Sequence, residues 1–572
     1  MLLVGLFWVW IAVVSLGLGL GVARLLRLLG GALPPLVAES PELLSLTGLA
    51  GLAWLVAVLS FAWPVALPMQ LGVSVLAAGL LVSRRGALGQ LLCTYGQHWR
   101  VAGPGAWGLA AVLALLVLVH AAQVPVFTDA MLYHAQFIQW MHRFAVVPGL
   151  GNLHGRLAFN SHTHLLTAFF SPAGEEPGPA FQQTFNSYGF LLLTLHHVRR
   201  AAAHLRLPQG RPGLVGYYLG SLVLLLMATR PWISSPMTDT PVAVVGLLLL
   251  GVLLETPRLA AAGLAWLTVL AATAVTFKAS AVVIALWPAA WALRWPARQW
   301  VRRLGLVAGV GLMVALPWLG RNVMFSGYAV YPLVAGVGPV VGAWAVPAPR
   351  LAADLAEIRL FARRPVTDWP RAAGQSVGEW VPFWWRQHEP ADQRLLLLLL
   401  ATLGLAVGHL GWQRPICWWR RADYQLYGLL LLSCGWWFET APALRFGYTY
   451  LIGSAVLGPL LVGQTLPARW QRAGSWLLAG LSLVYGVNGL RHEISKPGAL
   501  TAHAVWPADY RAVHPALAQQ LGPHRIAVTA GSCGNSALPC TDSLYTGLQL
   551  RGATLQQGFR MRAPATQVRP QL

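Results

Sequence analysis

The chain has 572 residues, of which 56% are hydrophobic and only 10% are charged, whereas soluble proteins carry about 25% charged residues. This composition excludes a soluble enzyme, a disordered chain and a nucleic-acid-binding module. The formal net charge of +22 does not indicate a nucleic-acid partner, because most arginines lie in short loops between apolar runs. The apolar runs are continuous rather than alternating, which also excludes an outer-membrane barrel. The composition therefore predicts an all-α integral membrane protein, a multi-span helical bundle whose partner is the lipid bilayer.

Fourteen apolar runs along the chain are candidate membrane spans. They cover residues 2–23, 44–62, 65–83, 106–124, 180–195, 213–229, 241–254, 259–275, 279–293, 304–320, 395–411, 425–438, 447–463 and 474–490. Several are shorter than the ~20 residues that a perpendicular span needs, so we expect about 12–14 spans. No small-residue cleavage site follows the first run, which favours a retained anchor over a signal peptide.

The loops between the runs alternate in charge. Arginines cluster at 84–100, 199–211, 294–303, 414–421 and 469–472, and the positive-inside rule places these loops in the cytoplasm. The opposite loops and the tail hold 14 of the 18 acidic residues. We therefore expect a multi-pass protein of the bacterial cytoplasmic membrane with its C-terminal tail outside the cytoplasm.

Three regions follow from this pattern: N-terminal spans in 1–105, a membrane core in 106–490 with outer loops 125–179 and 321–394, and a tail in 491–572. The tail contains a run typical of a strand, Arg525 to Ala530, bounded by Gly and Pro, which predicts a small domain of mixed structure. It also contains Cys533 and Cys540. Outside the cytoplasm these two fit a disulfide, with a pair of free thiols as the alternative.

The first outer loop contains the strongest candidates for chemistry. Asp129, Tyr133 and Gln136 are spaced i, i+4 and i+7, which predicts one shared helix face with His134 beside it. An aspartate where a span ends suits a general base or a divalent cation, and Asp129 as a simple helix cap is the alternative. We take Asp129 and His134 as the catalytic candidates, with Tyr133 as a substrate contact. Mg²⁺ or Mn²⁺ is the metal such a site would use, although no residue is assigned as a ligand.

The same loop continues with the polar, Gly-punctuated segment that contains His154, Arg156 and Asn160. Side chains of these types can bind a phosphate or a sugar, and an ordinary surface loop is the alternative.

Four further charged residues lie at the outer ends of later runs. Asp239 begins one run, and Lys278, one of only two lysines in the chain, separates two runs. Lys278 could neutralise a lipid phosphate or extend to the membrane surface. Arg321 suits bidentate phosphate binding, and Arg445 lies near Glu439, where a salt bridge at a helix end is the alternative. Together these residues predict a substrate site at one membrane face.

This arrangement resembles the GT-C superfamily, integral-membrane glycosyltransferases that use polyprenyl-phosphate-linked sugars. The resemblance implies that Asp129 matches the catalytic acidic position and that Lys278 and Arg321 or Arg445 match phosphate-holding positions. Several segments also resemble an uncharacterised bacterial membrane family: Thr128-Asp129-x-x-x-Tyr133-His134, Val147-Pro-Gly-Leu-x-Asn-Leu-His-Gly-Arg156, Ser326-Gly-Tyr-x-Val-Tyr-Pro332, Leu538-Pro-Cys-Thr541 and Arg551-Gly. Asp129 lacks the adjacent second acidic residue that is common in several GT-C members.

These features favour a glycosyltransferase that moves a sugar from a polyprenyl-phosphate-linked donor to an acceptor at the outer face of the cytoplasmic membrane. The alternatives are a transporter or flippase of a lipid-linked or anionic substrate, a polymerase or ligase of lipid-linked glycans, and a purely structural protein. A transporter predicts charges near the bilayer midplane and corresponding broken helices in two halves. The candidate charges lie at span ends instead, and no internal repeat is evident.

Overall fold

The structure is a computed structural model of the chain that describes every residue except 173–180, 334–336, 365–368, 413–420, 497, 499–500, 514–516, 530, 563–566 and 569–572. The arginines at 414 and 420 therefore lie outside the described residues. The described part is an all-α bundle followed by a small β-containing tail, which confirms the predicted class at that level.

Nineteen α-helices form the described bundle. In chain order they are α1 (Leu2–Arg27), α2 (Pro35–Ala38), α3 (Pro41–Leu59), α4 (Leu67–Ser83), α5 (Arg85–Ala121), α6 (Ala135–Arg143), α7 (His162–Phe169), α8 (Gln183–Arg206), α9 (Gly213–Thr229), α10 (Asp239–Glu255), α11 (Ala261–Phe277), α12 (Leu286–Ala292), α13 (Trp300–Ser326), α14 (Ala348–Arg363), α15 (Val377–Gln387), α16 (Pro390–Trp412), α17 (Ala422–Thr440), α18 (Leu444–Gly463) and α19 (Ala468–Ile494). Each of the fourteen apolar runs overlaps a helix, and the run 279–293 begins as the 3₁₀ segment Ala279–Ala285 before α12. Eight described helices are long and apolar enough to cross a membrane.

The tail contains short strands in three small sheets. They are β1 (Leu517–Leu521), β2 (His524–Val528), β3 (Cys540–Thr541), β4 (Leu544–Tyr545), β5 (Leu548–Leu550), β6 (Phe559–Met561) and β7 (Gln567–Val568). β2 pairs antiparallel with β1 and parallel with β3, while β4 pairs with β7 and β5 with β6. The strand predicted between Arg525 and Ala530 is β2, apart from Ala530 itself, which lies outside the described residues.

The two long outer loops contain helices that hydropathy did not reveal. α6 and α7 lie in the first loop, and α14 and α15 lie in the second. All four have 16 residues or fewer, and α6 and α15 are strongly amphipathic. Such helices lack the long uniform run on which the span prediction depends.

α5 is interrupted in the middle. Gly103 adopts a left-handed backbone conformation with φ of 74°, and Pro104 follows it. A Cβ at Gly103 would lie 2.3 Å from Nη1 of Arg206 on α8, so glycine suits the site both in conformation and in space. The predicted span 106–124 begins after this break and extends three residues beyond the end of α5 at Ala121.

α1 packs against α3 and α4 with direct backbone contact. A Cβ at Gly19 would lie 2.0 Å from the carbonyl oxygen of Leu44, and a Cβ at Gly48 would lie 1.8 Å from that of Ser15. Gly17 approaches Ala77 of α4 in the same way, with 2.2 Å to its carbonyl oxygen. Small residues therefore set the distance between these helices, as they do in many membrane bundles.

Gly19→Ala is expected to lower the free energy of unfolding by about 1–3 kcal/mol, because the added methyl group forces α1 away from α3. Gly5→Ala on the same helix is the matched control, since a Cβ at Gly5 meets open space. The control should be neutral or stabilising by up to about 1 kcal/mol through helix propensity. Thermal unfolding in detergent compares the two, and equal stability of both variants would contradict the close packing.

The loops gather at two opposite ends of the bundle. At one end, called the site end, the segments 60–65, 122–169, 230–240, 321–346 and the tail are joined by hydrogen bonds. The Val65 N–H donates to the Met141 carbonyl at 2.7 Å, and the Gly149 N–H donates to the Met324 carbonyl at 2.7 Å. The Ala508 N–H of the tail donates to the Ala122 carbonyl at 2.8 Å. At the other end, Arg199 of α8 binds Glu42 of α3 at 3.0 Å, and Arg200 binds Glu255 of α10. The described loops thus separate into the same two groups that their charges indicated.

Candidate functional site

Asp129 lies at the site end, directly before a π-helical turn formed by residues 130–134. Its carboxylate makes no capping hydrogen bond, so the alternative of a simple helix cap is wrong. Instead it lies between two arginines: Arg156 Nη1 is 3.2 Å from Oδ1, and Arg445 Nη2 is 3.1 Å from Oδ2. A single carboxylate thus joins the first outer loop to the start of α18.

Of the expected shared face of Asp129, Tyr133 and Gln136, the first two both lie beside Arg156, whereas Gln136 faces the tail. Gln136 Nε2 donates to the tail carbonyls of Gly534 and Ser536 at 3.2 and 2.7 Å, while Asp129 faces the arginines. The reason is the π-helical turn, which adds a residue relative to α-helical spacing and rotates the following side chains. Tyr133 lies beside Arg156, whose guanidinium carbon is 5.9 Å from the centre of the tyrosine ring.

A second carboxylate extends the same set of ion pairs. Asp239, the first residue of α10, forms an ion pair with Lys278, which follows the last residue of α11. Arg445 Nε lies 3.8 Å from Oδ2 of Asp239, so Arg445 is close to both aspartates. Lys278 is thus paired within the bundle, and among the described residues Arg445 is paired with the two aspartates rather than with Glu439, the partner that its sequence position suggested.

Arg156 connects a further acidic residue to these ion pairs. Its Nη2 lies 2.7 Å from Oε1 of Glu357 on α14. Among the described residues this gives a continuous chain of alternating charges, which we call the charged network: Glu357, Arg156, Asp129, Arg445, Asp239 and Lys278. Sequence reasoning missed Glu357, because nothing in the pattern of loop 321–394 distinguishes it from the other acidic residues there.

The side chains of the network differ in how exposed they are, and therefore in whether a ligand can reach them. The side chain of Asp239 is 2% exposed, whereas those of Lys278 and Arg445 are each 22% exposed. Lys278 has three N–H donors, and Asp239 accepts from one of them. Aromatic rings lie beneath both cations: Lys278 Nζ is 3.5 Å from the centre of the Phe446 ring, and the Arg445 guanidinium is 4.8 Å from that of Phe127. The arrangement leaves cationic donors at a partly open surface, where they can bind an anion.

His134 lies beneath the network rather than in it. It is buried, and its ring contacts those of Tyr133 and His164 with centroids 4.3 and 4.4 Å apart. Burial lowers the pKa of His134 well below its usual value, and the positive charges of Lys278, Arg445 and Arg156 lower it further. His134 is therefore neutral at pH 7, and its catalytic role stays a prediction.

His154 connects the first outer loop to the tail. Its Nδ1 accepts a hydrogen bond from the Arg156 backbone N–H at 3.2 Å, and its Nε2 lies 3.1 Å from Oδ1 of Asp542. Burial alone would raise the pKa of Asp542, but the hydrogen bond and charge of His154 outweigh burial and lower this pKa to about 2. The tail therefore contributes to the position of Arg156, a contact that sequence reasoning did not find.

Asn160 and Arg321 lie together and apart from the charged network. Arg321 Nε donates to Oδ1 of Asn160 at 3.0 Å, and Asn160 Nδ2 donates to Asn322 and to the Trp318 carbonyl, both at 2.9 Å. Asn160 has a positive φ of 46°, which these bonds hold in place. The structure thus brings five of the predicted residues into the charged network (Asp129, Arg156, Asp239, Lys278 and Arg445) and places these two elsewhere.

The tail segment between Cys533 and Cys540 is closed by a disulfide bond. This segment also contacts the turn next to Asp129, because the Gly534 N–H donates to the Met131 carbonyl at 2.6 Å. The disulfide therefore fixes the part of the tail on which the Asp129 turn rests.

Replacing both cysteines by serine is expected to lower the local stability of this segment by about 2–3 kcal/mol, the value for a short closed loop. Hydrogen exchange at residues 531–541 and at Gly534 in particular should become faster, and dithiothreitol should have the same effect on the wild-type chain. Unchanged exchange in the double variant would show that the segment is held without the disulfide.

The expectation of Mg²⁺ or Mn²⁺ came without assigned ligands, and the described residues contain no preformed cluster of three. No group of three His, Cys, Asp or Glu side chains in the described part could hold a metal ion, and both aspartates of the network are already paired with cations.

A family model described as a domain of unknown function, DUF8201, matches residues 1–452. The chain belongs to the DUF8201 family. The matched range includes all six residues of the charged network. Comparisons with curated proteins and with solved structures gave no match.

Proposed function

We propose that the chain is a multi-pass membrane glycosyltransferase that moves a sugar from a polyprenyl-phosphate-linked donor to an acceptor at the outer face of a bacterial cytoplasmic membrane. The observation that carries the proposal is the charged network, in which cationic donors and a carboxylate meet at the ends of apolar helices. This is the combination that transfer from a lipid phosphate needs: cations for the phosphate and a base for the acceptor.

Membrane insertion is supported by the surface of the bundle. Eight described helices are long and apolar enough to cross a bilayer, and α13, α16 and α19 expose many large apolar side chains, such as Leu312, Leu405 and Leu481. An apolar surface of this extent is stable in lipid rather than in water. The arginine-rich end then faces the cytoplasm by the positive-inside rule, and the site end faces outward.

Lys278 and Arg445 are the residues we assign to the donor phosphate. Both remain partly exposed, and Lys278 has N–H donors beyond the one that Asp239 accepts. Buried Asp239 holds Lys278 in position, while the rings of Phe446 and Phe127 support the two cations. A phosphate oxygen can therefore bind without breaking the existing pairs.

Asp129 is the residue we assign as the base. The acceptor hydroxyl oxygen attacks the anomeric carbon of the sugar, the bond between that carbon and the phosphate oxygen breaks, and the polyprenyl phosphate leaves. The hydroxyl proton passes to Asp129, whose carboxylate Arg156 and Arg445 hold in place. Arg445 contacts Asp129 and also lies near Asp239, so it connects the base to the phosphate side.

The test is release of prenyl phosphate by the purified protein in lipid nanodiscs. The probes are prenyl-phosphate-linked hexoses and pentoses, each with and without an extract of envelope lipids and glycans as acceptor. We expect acceptor-dependent release from at least one donor. No release from any donor would contradict the proposal, and donor flipping without release would support the transporter alternative.

A further inference from the structure

Arg321 is a buried cation without an acidic partner in the described part of the chain. Its side chain is 1% exposed, and it lies in the last turns of α13. Nε donates to Asn160 and Nη1 donates to Ser60, both of which are neutral, and Nη2 has no hydrogen-bond partner. The ring of Phe325 lies 5.0 Å from the guanidinium carbon and is also neutral.

Arg199, at the other end of the bundle, is a buried arginine that does have an acidic partner. It is equally buried, but its Nη2 lies 3.0 Å from the carboxylate of Glu42, so the pair is neutral. A guanidinium cannot lose its proton to avoid burial, and an uncompensated buried charge is strongly destabilising. Arg321 therefore needs a negative charge that the described residues do not supply.

A second unpartnered donor lies in the same cleft. Arg321 and Trp140 both line a cleft whose other walls are mainly apolar side chains of α6 and of the 144–150 segment. The Trp140 indole is buried, and its Nε1 has no hydrogen-bond partner either. Two buried N–H donors, one of them charged, thus line one partly open cleft. Because a buried donor without an acceptor is costly, this pair indicates a ligand that accepts hydrogen bonds and has negative charge.

We propose that this cleft binds an oxyanion, the phosphate group of an anionic lipid or free phosphate, whose oxygen accepts from Arg321 Nη2 and Trp140 Nε1. The cleft has room for about one water-sized group, so one oxygen enters, with a small shift of the side chains that cover the two donors, while the remainder stays at the open side. Ser60, which also lines the cleft, is followed by the exposed aromatic residues Phe61 and Trp63. Exposed aromatics of this kind mark the headgroup level of a bilayer, where lipid phosphates are available.

This anion site is separate from the charged network and does not depend on the proposed transfer reaction. The test measures the thermal midpoint of unfolding for the purified chain in phosphatidylcholine nanodiscs, with added potassium phosphate or potassium chloride at equal ionic strength. A second set of nanodiscs contains phosphatidylglycerol. Because a ligand that binds the folded state raises the midpoint, the shift gives an affinity for each anion.

We expect phosphate, phosphatidylglycerol or both to raise the midpoint of the wild type, which distinguishes the two sources. Arg321→Met should weaken the affinity derived from this shift about 10–100-fold, and Trp140→Phe, which removes the N–H together with part of the indole ring, should weaken it about 3–10-fold. Without the anion, Arg321→Met should be as stable as the wild type or more so, whereas Arg199→Met should be less stable because Glu42 then loses its partner.

Several results would overturn the site. One is the absence of any response to both anions in the wild type. Another is a response that Arg321→Met retains in full, and a third is equal stabilisation by chloride, which would reject an oxyanion. Because Trp140→Phe keeps an aromatic ring at this position and leaves Arg321 in place, its response remains informative even where Arg321→Met folds poorly.

Discussion

Asp129→Asn is expected to lower sugar transfer by about 10²–10⁴-fold, the range for loss of a general base. Asparagine has nearly the same size and its side-chain oxygen can still accept a hydrogen bond from one arginine, but it cannot take the proton of the acceptor. The measurement is the initial rate of acceptor-dependent prenyl phosphate release in nanodiscs. Size-exclusion profiles and thermal midpoints establish that the variant remains folded.

Asp354→Asn is the matched control for this substitution. Asp354 is a partly buried carboxylate on α14 at the same end of the bundle, but it accepts a hydrogen bond from Tyr331 and does not belong to the charged network. Its replacement should leave the rate close to that of the wild type. Transfer retained by Asp129→Asn, or lost equally in both variants, would reject Asp129 as the base.

Lys278→Met is expected to lower the free energy of unfolding by about 3–5 kcal/mol, because it leaves a buried carboxylate without its main partner. Asp239 is almost inaccessible to solvent, and the remaining cation near it is Arg445 Nε at 3.8 Å. The double variant Lys278→Met with Asp239→Asn should recover most of the stability, since it removes the buried charge. It should not recover sugar transfer, since the phosphate contact is lost.

The other lysine provides the matched control. Lys496 lies 2.5 Å from Glu493, which is as buried as Asp239, but about half of the Lys496 side chain is exposed. Glu493 also accepts a hydrogen bond from Gln123 at 2.8 Å and lies 3.7 Å from His120, so it keeps a close donor when the lysine is removed. Lys496→Met should therefore cost less than Lys278→Met. Denaturation in detergent distinguishes these cases. A loss for Lys278→Met no larger than that for Lys496→Met, or no recovery in the double variant, would show that the pair is not needed for stability.

Hydropathy located the helices of the bundle because long apolar runs are a strong signal. Each of the fourteen runs overlaps a helix, and the loop charges separated the two ends. Short helices in the outer loops were not found, because they have neither the length nor the uniform composition of a span. The π-helical turn after Asp129 was also not visible, and it is the reason that Asp129 and Gln136 face different partners.

The sequence identified many members of the site but not their partners. Asp129 and Arg445 are 316 residues apart, and only the packing of α18 against the first outer loop brings them together. The position of a residue at the end of a span also does not show the direction in which its side chain points. Arg321 and Arg445 both lie at span ends, yet one faces an apolar cleft and the other faces two aspartates. Side-chain direction depends on helix rotation, which one sequence does not reveal.

The backbone contacts among α1, α3 and α4 have a consequence for how the chain is made. All three helices are complete by Ser83, before the ribosome has synthesised any member of the charged network. Their association depends on small residues such as Gly17, Gly19 and Gly48 rather than on partners later in the chain. This unit can therefore assemble early in biogenesis and provide a surface on which the helices that position Asp129 are added. Damage at these glycines would then reduce the yield of inserted protein, while the molecules that do assemble would have an unchanged site.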